Sequence, residues 1–276
     1  MNAPAHPRMQ AAILPGGRLH LNDGPIDLVV GADGDPAHVR RAYAAATARF
    51  ASALDELCSE LQLLREPMTS DAPPPAGVIA QRMDGATRPL CADRFITRMA
   101  AVAGAVADEI LAAMVAAAPL RRAYVNNGGD IALHLAAGES FAIGLVDRPD
   151  APRLFGDARI GRDDGVRGVA TSGWRGRSFS LGIADAVTIL ARDAAGADAA
   201  ATLVANAVDL PDHQAIARAG SQAASGRRLR FASTASASRS ISCSRRRRAS
   251  KCCVGRCPAQ ASKADSADGE SNRPWQ

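Results

Sequence analysis

Apolar positions along this chain change their period twice, and each change marks a different kind of element. From Val39 through Tyr43, Ala46, Phe50, Leu54, Leu57 and Leu61 to Leu64 they recur at three- and four-residue steps, the repeat of a helix with one buried stripe. Asp35-Pro36 supplies a start, because Asp accepts from the free N–H groups of a first turn and Pro fits its fixed φ. The pattern predicts one amphipathic helix of about eight turns. Pro67 and the Pro73-Pro74-Pro75 run close it with a loop. A second helix is predicted over 93–118, with Phe95, Met99, Val102, Val106, Ile110 and Met114 on one side. Its Ala and Gly residues permit close packing against a neighbour, and Pro119 stops it.

Ahead of these helices, 19–30 reads as a strand pair. After Pro119 the elements shorten. Residues 122–125, 131–135, 141–146 and 166–170 are short apolar runs bounded by turn residues, and 179–190 supplies one or two more. A last helix is predicted over 197–208, with Leu203, Val204 and Val208 for burial. Helices first, then a meandering sheet, then a helix imply an α+β domain over 1–218, with long helices of the N-terminal half packed on a mostly antiparallel sheet.

Beyond Ala219 no helical or strand period survives. Residues 1–218 carry 21 Arg, no Lys and a net charge of −4, whereas 219–276 carry 10 Arg, 2 Lys, 12 Ser and a net charge of +9. The expectation is a disordered basic tail. An Arg-rich body without Lys suggests a GC-rich gene, and such DNA read out of frame yields Arg, Ala, Ser and Cys. The tail is therefore read as a frameshift product. The competing reading, a basic arm at Arg245 to Arg248 for nucleic acid, lacks interleaved aromatics and ranks below. The start, MNAPAHPRMQAAILPGG, holds no long apolar run of the signal-peptide kind. Asp108 and Glu109 interrupt the Ala-rich stretch, which argues against a membrane span. Cys58 and Cys91 stand alone in the body, so no disulfide framework is expected and a cytoplasmic location fits.

Candidate chemistry concentrates in two places. Asn126-Asn127-Gly128-Gly129-Asp130 lies between two strand runs. It reads either as a plain hairpin turn, since Asn and Gly tolerate positive φ, or as a backbone that a ligand approaches closely, with the Asp130 carboxylate at its edge. Residues 168–208 hold polar groups among apolar ones: Thr171-Ser172-Gly173, Arg175 with Arg177, and Asp198 with Thr202. The first two sets form either a polar turn or a phosphate cradle of N–H groups, hydroxyls and guanidinium groups. Neither a Walker A loop nor a nucleophile elbow is present. Asp198 and Thr202, four apart, share one helix face. They offer hard oxygen ligands for Mg²⁺, or else Asp198 complements its own helix N-terminus and Thr202 bonds back to a carbonyl. His134 and His213 are expected to be structural, and Cys252, Cys253 and Cys257 lack paired zinc-ligand spacing.

Three of these segments together resemble the ApbE-like flavin transferase superfamily: Val125-Asn126-Asn127-Gly128-Gly129-Asp130-Ile131, Gly168-Val169-Ala170-Thr171-Ser172-Gly173 and Ala197-Asp198-Ala199-Ala200-Ala201-Thr202. Their order and spacing match the family's G-G-D-I, A-T-S-G and A-D-x-x-x-T elements over roughly residues 20–215. Met99 to Ala105 and Ser180 to Val187 resemble an uncharacterised, cytoplasmic branch of it. The resemblance implies a single α+β domain that uses Mg²⁺ and FAD and moves FMN onto a Thr or Ser hydroxyl of an acceptor protein. It implies Asp198, Thr202 and the backbone carbonyl of Ala170 as metal ligands. Asn127, Gly128, Gly129, Asp130, Thr171, Ser172, Gly173, Arg175 and Arg177 would line the flavin nucleotide site. Trp174-Arg175-Gly176-Arg177-Ser178-Phe179 replaces the family's D-P-R-T-G-like loop, which leaves a flavin- or nucleotide-binding protein without chemistry as the alternative. No membrane or nucleic-acid partner is expected.

Overall fold

The computed structural model describes residues 8–92, 94–146, 154–174, 180–210 and 253–256. Its strands, in chain order, are β1 (Gln10–Leu14), β2 (Arg18–Asp23), β3 (Ile26–Asp33), β4 (Arg122–Asn127), β5 (Asp130–Leu135), β6 (Ser140–Val146), β7 (Leu154–Gly161), β8 (Gly168–Ser172), β9 (Val187–Ala191) and β10 (Cys253–Arg256). Seven of them form one antiparallel run in the order β1-β2-β3-β4-β5-β8-β9. The helices are α1 (Pro36–Phe50), α2 (Ala53–Ser59), α3 (Leu61–Arg65), α4 (Val78–Thr87), α5 (Val102–Ala117) and α6 (Ala194–Ala207).

Strand alternation divides the sheet into two covered faces. The registers place Leu28, Val30, Val125 and Ala132 on one face, and there they share a core with Ala46 and Phe50 of α1 and with Ile110 and Met114 of α5. The opposite face carries Leu133, Leu135 and Val169. Phe141, Ile143 and Ile160 of the β6–β7 hairpin pack on it. Helices, sheet and hairpin thus make three layers, the α+β arrangement the pattern predicts.

Asp35 caps α1 as expected, accepting from the N–H groups of Ala37 at 2.7 Å and His38 at 3.4 Å. The single eight-turn helix does not form. It breaks at Ala51–Ser52 and again at Glu60, giving α1, α2 and α3. The cause lies in the acids on the exposed side. Glu60 leaves helical geometry at φ −113°, and its carboxylate accepts from the N–H groups of Ala76 and Gly77, both at 2.7 Å. Glu56 accepts from Ile79 N–H at 2.8 Å, so both acids satisfy the free end of α4. The apolar period survives the bends because Leu57 and Leu64 each still reach the core.

Helix α4 has no counterpart in the sequence reading, because Asp84 and Thr87 lie on its buried side beside Ile79, Ala80 and Met83. Asp84 is tolerated there by two ion pairs, with Arg98 Nε at 2.7 Å and Arg88 Nε at 2.9 Å. Arg98 is fully buried and also donates to the carbonyls of Leu63 and Pro73. It sits in a short 3-10 turn over Arg98–Ala101, so the second helix starts at Val102 instead of near 93. Phe95, expected on its apolar side, is 78% exposed. Strand β7 was also unforeseen. Of 179–190, the described part forms one strand, β9, since 180–186 is irregular, and α6 begins at Ala194 rather than 197.

By length and composition Arg98–Ala117 could cross a membrane, yet here α5 packs against α1, α4, α6 and the sheet. Within the tail expected to lack order, Cys253–Arg256 runs parallel to β9 as β10. The backbone groups on that edge of β9 are what it pairs with.

Candidate functional site

The turn between β4 and β5 is a hairpin in its own right. Gly128 (φ 66°) and Gly129 (φ 116°) take conformations that favour glycine, and Asn126 Oδ1 accepts from Gly129 N–H at 2.8 Å. Its consequence is positional. Asn127 and Asp130 pair across the turn and share the helix-facing side of the sheet with Ala170 and Ser172. Thr171, one residue out of phase, points to the other face, where its hydroxyl lies 2.9 Å from that of Thr188. Thr171 contributes instead through its backbone. The rungs between β5 and β8 run through Ile131–Val169 and Ala132–Gly168, and past them the Asp130 carboxyl accepts from Thr171 N–H.

Above this sheet edge α5 begins and α6 crosses. Asn127 Nδ2 donates to the Ala103 carbonyl at 3.1 Å. Asp198 Oδ2, on α6, accepts from Gly104 N–H at 3.0 Å, with a further bond from Ala103 N–H. The start of α6 does not use Asp198. Asp193 caps it through Gly196 N–H at 2.6 Å, and Asp108 of α5 accepts from Ala194 at 3.0 Å and Ala195 at 2.9 Å. This corrects the reading of Asp198 as a complement to its own helix. Nor does the Thr202 side chain bond back. Among the described residues its hydroxyl has no hydrogen-bond partner, while its carbonyl accepts from Asn206.

Backbone contact without side chains lets these elements meet. A Cβ on Gly104 would lie 2.2 Å from the Ala194 carbonyl oxygen, and one on Gly168 would lie 1.9 Å from that of Asp193. After β8, a Cβ on Gly173 would strike the Asp185 carbonyl at 2.2 Å. Trp174 fixes the same loop, donating N–H to Ala184 O at 3.1 Å and Nε1–H to Asp185 Oδ1 at 3.0 Å. Ser172 and Ser180 hydroxyls lie 3.1 Å apart. Arg175 and Arg177 lie outside the described residues.

Asp130 and Asp198 therefore come together where α6 crosses the end of β5 and β8. Each residue keeps some accessible surface while its carboxyl is enclosed by protein. Burial pushes Asp130 up to about 7, against the Thr171 N–H bond. Burial raises Asp198 well above the carboxylate range, the Asp130 charge adds to it, and the Gly104 and Ala103 N–H groups oppose it. Among the described residues neither carboxyl forms an ion pair. Two buried like charges are relieved by a proton or by a cation. No group of three or more His, Cys, Asp and Glu gathers among the described residues. A cation here would thus take two carboxylates and fill its shell with hydroxyl, carbonyl, water or phosphate oxygens. That donor set suits Mg²⁺ and not zinc.

Sequence reasoning singled out Asp130 and Asp198 but missed Asp108, which burial pushes up to about 6. Its signal was present: an acid inside an Ala-rich apolar stretch needs a partner. His134 is structural as expected, with Nε2 3.2 Å from the Leu120 carbonyl.

The family described as AbpE bacteria matches residues 11–227. Archaeal relatives carry the name UPF0280 protein. The chain is 44% identical to that of Methanopyrus kandleri over 119 residues, 42% of this chain and 45% of the relative. It is 42% identical to that of Methanothrix thermoacetophila over 111 residues, 40% of this chain and 45% of the relative. With that of Methanosarcina acetivorans it shares 34% over 179 residues, 64% of this chain and 67% of the relative. The chain thus spans about half the length of the first two.

Proposed function

The chain belongs to the family described as AbpE bacteria, and from that premise we propose that it is a Mg²⁺-dependent relative of the ApbE-like flavin-nucleotide transferases, working in the cytoplasm. Its substrate is the pyrophosphate of FAD, and its product is FMN joined to a Thr or Ser hydroxyl of an acceptor protein. The observation that carries this reading is the pair Asp130 and Asp198: two enclosed carboxyls on facing elements, both raised in proton affinity, with no basic partner among the described residues.

Mg²⁺ would be held by Asp198, by the Thr202 hydroxyl one turn further along α6, and by the Ala170 carbonyl, with Asp130 opposite. When bound, it supplies positive charge to phosphate oxygens. The chain does the rest. Gly128 and Gly129 present bare backbone to the nucleotide. Past Thr171, whose hydroxyl and N–H are taken by Thr188 and Asp130, Ser172 and Gly173 offer hydroxyl and N–H donors to the phosphates, charge-stabilising groups of the kind phosphoryl transfer requires. The acceptor hydroxyl oxygen bonds to the phosphorus of the FMN half, the phosphoanhydride breaks, and AMP leaves with the electron pair. The hydroxyl proton passes to Asp130, the carboxyl whose proton affinity burial raises in the metal-free chain.

A second reading is a flavin- or nucleotide-binding protein without turnover. Its support is that Asp198 already satisfies the start of α5 through Gly104. Incubation of the full chain with FAD, Mg²⁺ and candidate acceptor proteins separates the two. AMP release with FMN bound covalently to an acceptor establishes the transferase. Saturable Mg²⁺-dependent FAD binding without AMP establishes the second reading. Absence of both binding and turnover overturns both.

A further inference from the structure

At the opposite end of β3 and β4 from the carboxylate pair, the sheet holds a cavity of about 120 Å³. The chain has two tyrosines, and both face this space: Tyr43 from α1 and Tyr124 from β4. Phe141 of the β6–β7 hairpin completes an aromatic wall, its ring edge-on to Tyr124 at 6.0 Å and 86°. Each ring also packs at the edge of a core cluster, so the hollow is walled by side chains that the fold already holds in place.

The wall is held in place. A Cβ on Gly31 would overlap the Tyr124 ring at 2.3 Å, so the ring lies flat over bare backbone. Tyr43 donates its hydroxyl to the Gly17 carbonyl at 3.0 Å, which ties α1 to the β1–β2 turn at the rim. Arg122 stands 5.3 Å from the centre of the Phe141 ring, and its charge is already met by Asp33 and Glu139. Arg18 differs. It lines the same cavity from β2, is exposed, and among the described residues has no ion pair and no side-chain hydrogen bond. The cavity therefore combines aromatic faces, a volume close to that of the roughly 150 Å³ cavity known to accept benzene, and one unneutralised cation at the mouth.

We propose that this cavity is a binding site for a small aromatic anion, a single six-membered ring bearing a carboxylate. The ring occupies the space between Tyr124, Phe141 and Tyr43, and the carboxylate meets the Arg18 guanidinium in a charge-assisted pair. It is separate from the Asp130–Asp198 pair, which lies beyond the Asn127 end of β4.

Benzoate is the probe, titrated into the full chain by calorimetry. The expected result is saturable binding with a dissociation constant of about 1 mM, as for a well-fitted ligand of so few atoms. Benzyl alcohol, which lacks the charge, and cyclohexanecarboxylate, which lacks the aromatic face, each bind about tenfold more weakly or worse. Arg18→Ala, a change at an exposed position, weakens benzoate by about tenfold, and Gly31→Ala abolishes binding by displacing the Tyr124 ring. Asp198→Ala leaves it unchanged, which separates this site from the carboxylate pair. Absence of saturable benzoate binding, equal binding of cyclohexanecarboxylate, or full-strength binding by Arg18→Ala overturns the proposal.

Discussion

The charge of Asp130, at the first position of β5, raises the proton affinity of Asp198, in the second turn of α6. Both carboxyls keep backbone N–H donors, from Thr171 and from Gly104 with Ala103, and both are raised nonetheless. Enclosure outweighs the donors at both, and at Asp198 the Asp130 charge adds to it. The fold thus holds two acids where one alone would be costly, and a ligand that brings positive charge lowers that cost.

Removing one member of the pair is expected to stabilise the metal-free protein and to abolish its response to Mg²⁺. Asp130→Asn keeps the shape and removes the charge, so at pH 8 without metal it gains about 2 kcal/mol once partial exposure is allowed for. Asp198→Asn follows in the same direction and retains an oxygen for Gly104 N–H. Urea unfolding of wild type and both variants, with and without Mg²⁺, measures this. Unchanged metal stabilisation in either variant shows that the pair does not hold the ion.

Stability of the metal-free protein is expected to fall between about pH 4 and pH 7. Asp108 and Asp130 are both raised from 3.8, to about 6 and about 7. A raised carboxyl favours its protonated form in the folded state. Its contribution is therefore complete below the ordinary carboxylate value and is lost as pH climbs through the raised one. Protons also compete with the metal, so Mg²⁺ stabilisation grows over the same interval. Melting temperatures across that range, with chelator or with Mg²⁺, give two curves that diverge as pH rises. Parallel curves would show that Asp130 takes no part in holding the ion.

What the sequence made legible follows from how each signal is carried. The Asp35 cap and the Asn126–Gly129 hairpin depend on near neighbours, and both stand in the structure. Asp130 and Asp198 were both singled out, but in separate motifs that only the family resemblance brought to one site, because it is the crossing of α6 over the end of β5 and β8 that joins them in space. Helix α4 and the breaks at Ser52 and Glu60 were illegible for a related reason. Glu56 and Glu60 read as the exposed face of one helix, and only their bonds to Ile79, Gly77 and Ala76 reveal a second helix to be capped. Phe95 followed the apolar period, yet the ion pair of buried Arg98 with Asp84 sets the backbone there.

That ion pair gives its own prediction. Arg98→Met fits the volume roughly but leaves Asp84 with Arg88 alone and frees the carbonyls of Leu63 and Pro73. Breaking a buried pair by removing one partner costs about 3–5 kcal/mol. The double variant Arg98→Met with Asp84→Leu should recover part of the loss, because no buried charge is then left unmatched. Urea midpoints of both variants test it. A cost for the single change no larger than that of a surface substitution would show that the pair contributes nothing to the fold.

Gly104 links the fold to the site, because its N–H bonds Asp198 while its missing side chain lets α5 touch the start of α6. Gly104→Ala places a methyl group 2.2 Å from the Ala194 carbonyl oxygen, which belongs to backbone and has no rotamer to change. The helices must separate, and the loss is about 1–3 kcal/mol, as for an overpacked core. Separation also withdraws the N–H from Asp198 and shifts Asp108 from its hold on Ala194 and Ala195. Mg²⁺ stabilisation should therefore weaken in the folded variant, beyond what the lower stability alone explains. Calorimetric Mg²⁺ titration at a temperature where wild type and variant are both fully folded isolates that effect. Equal Mg²⁺ affinity in the two proteins would show that the contact serves the fold and not the site.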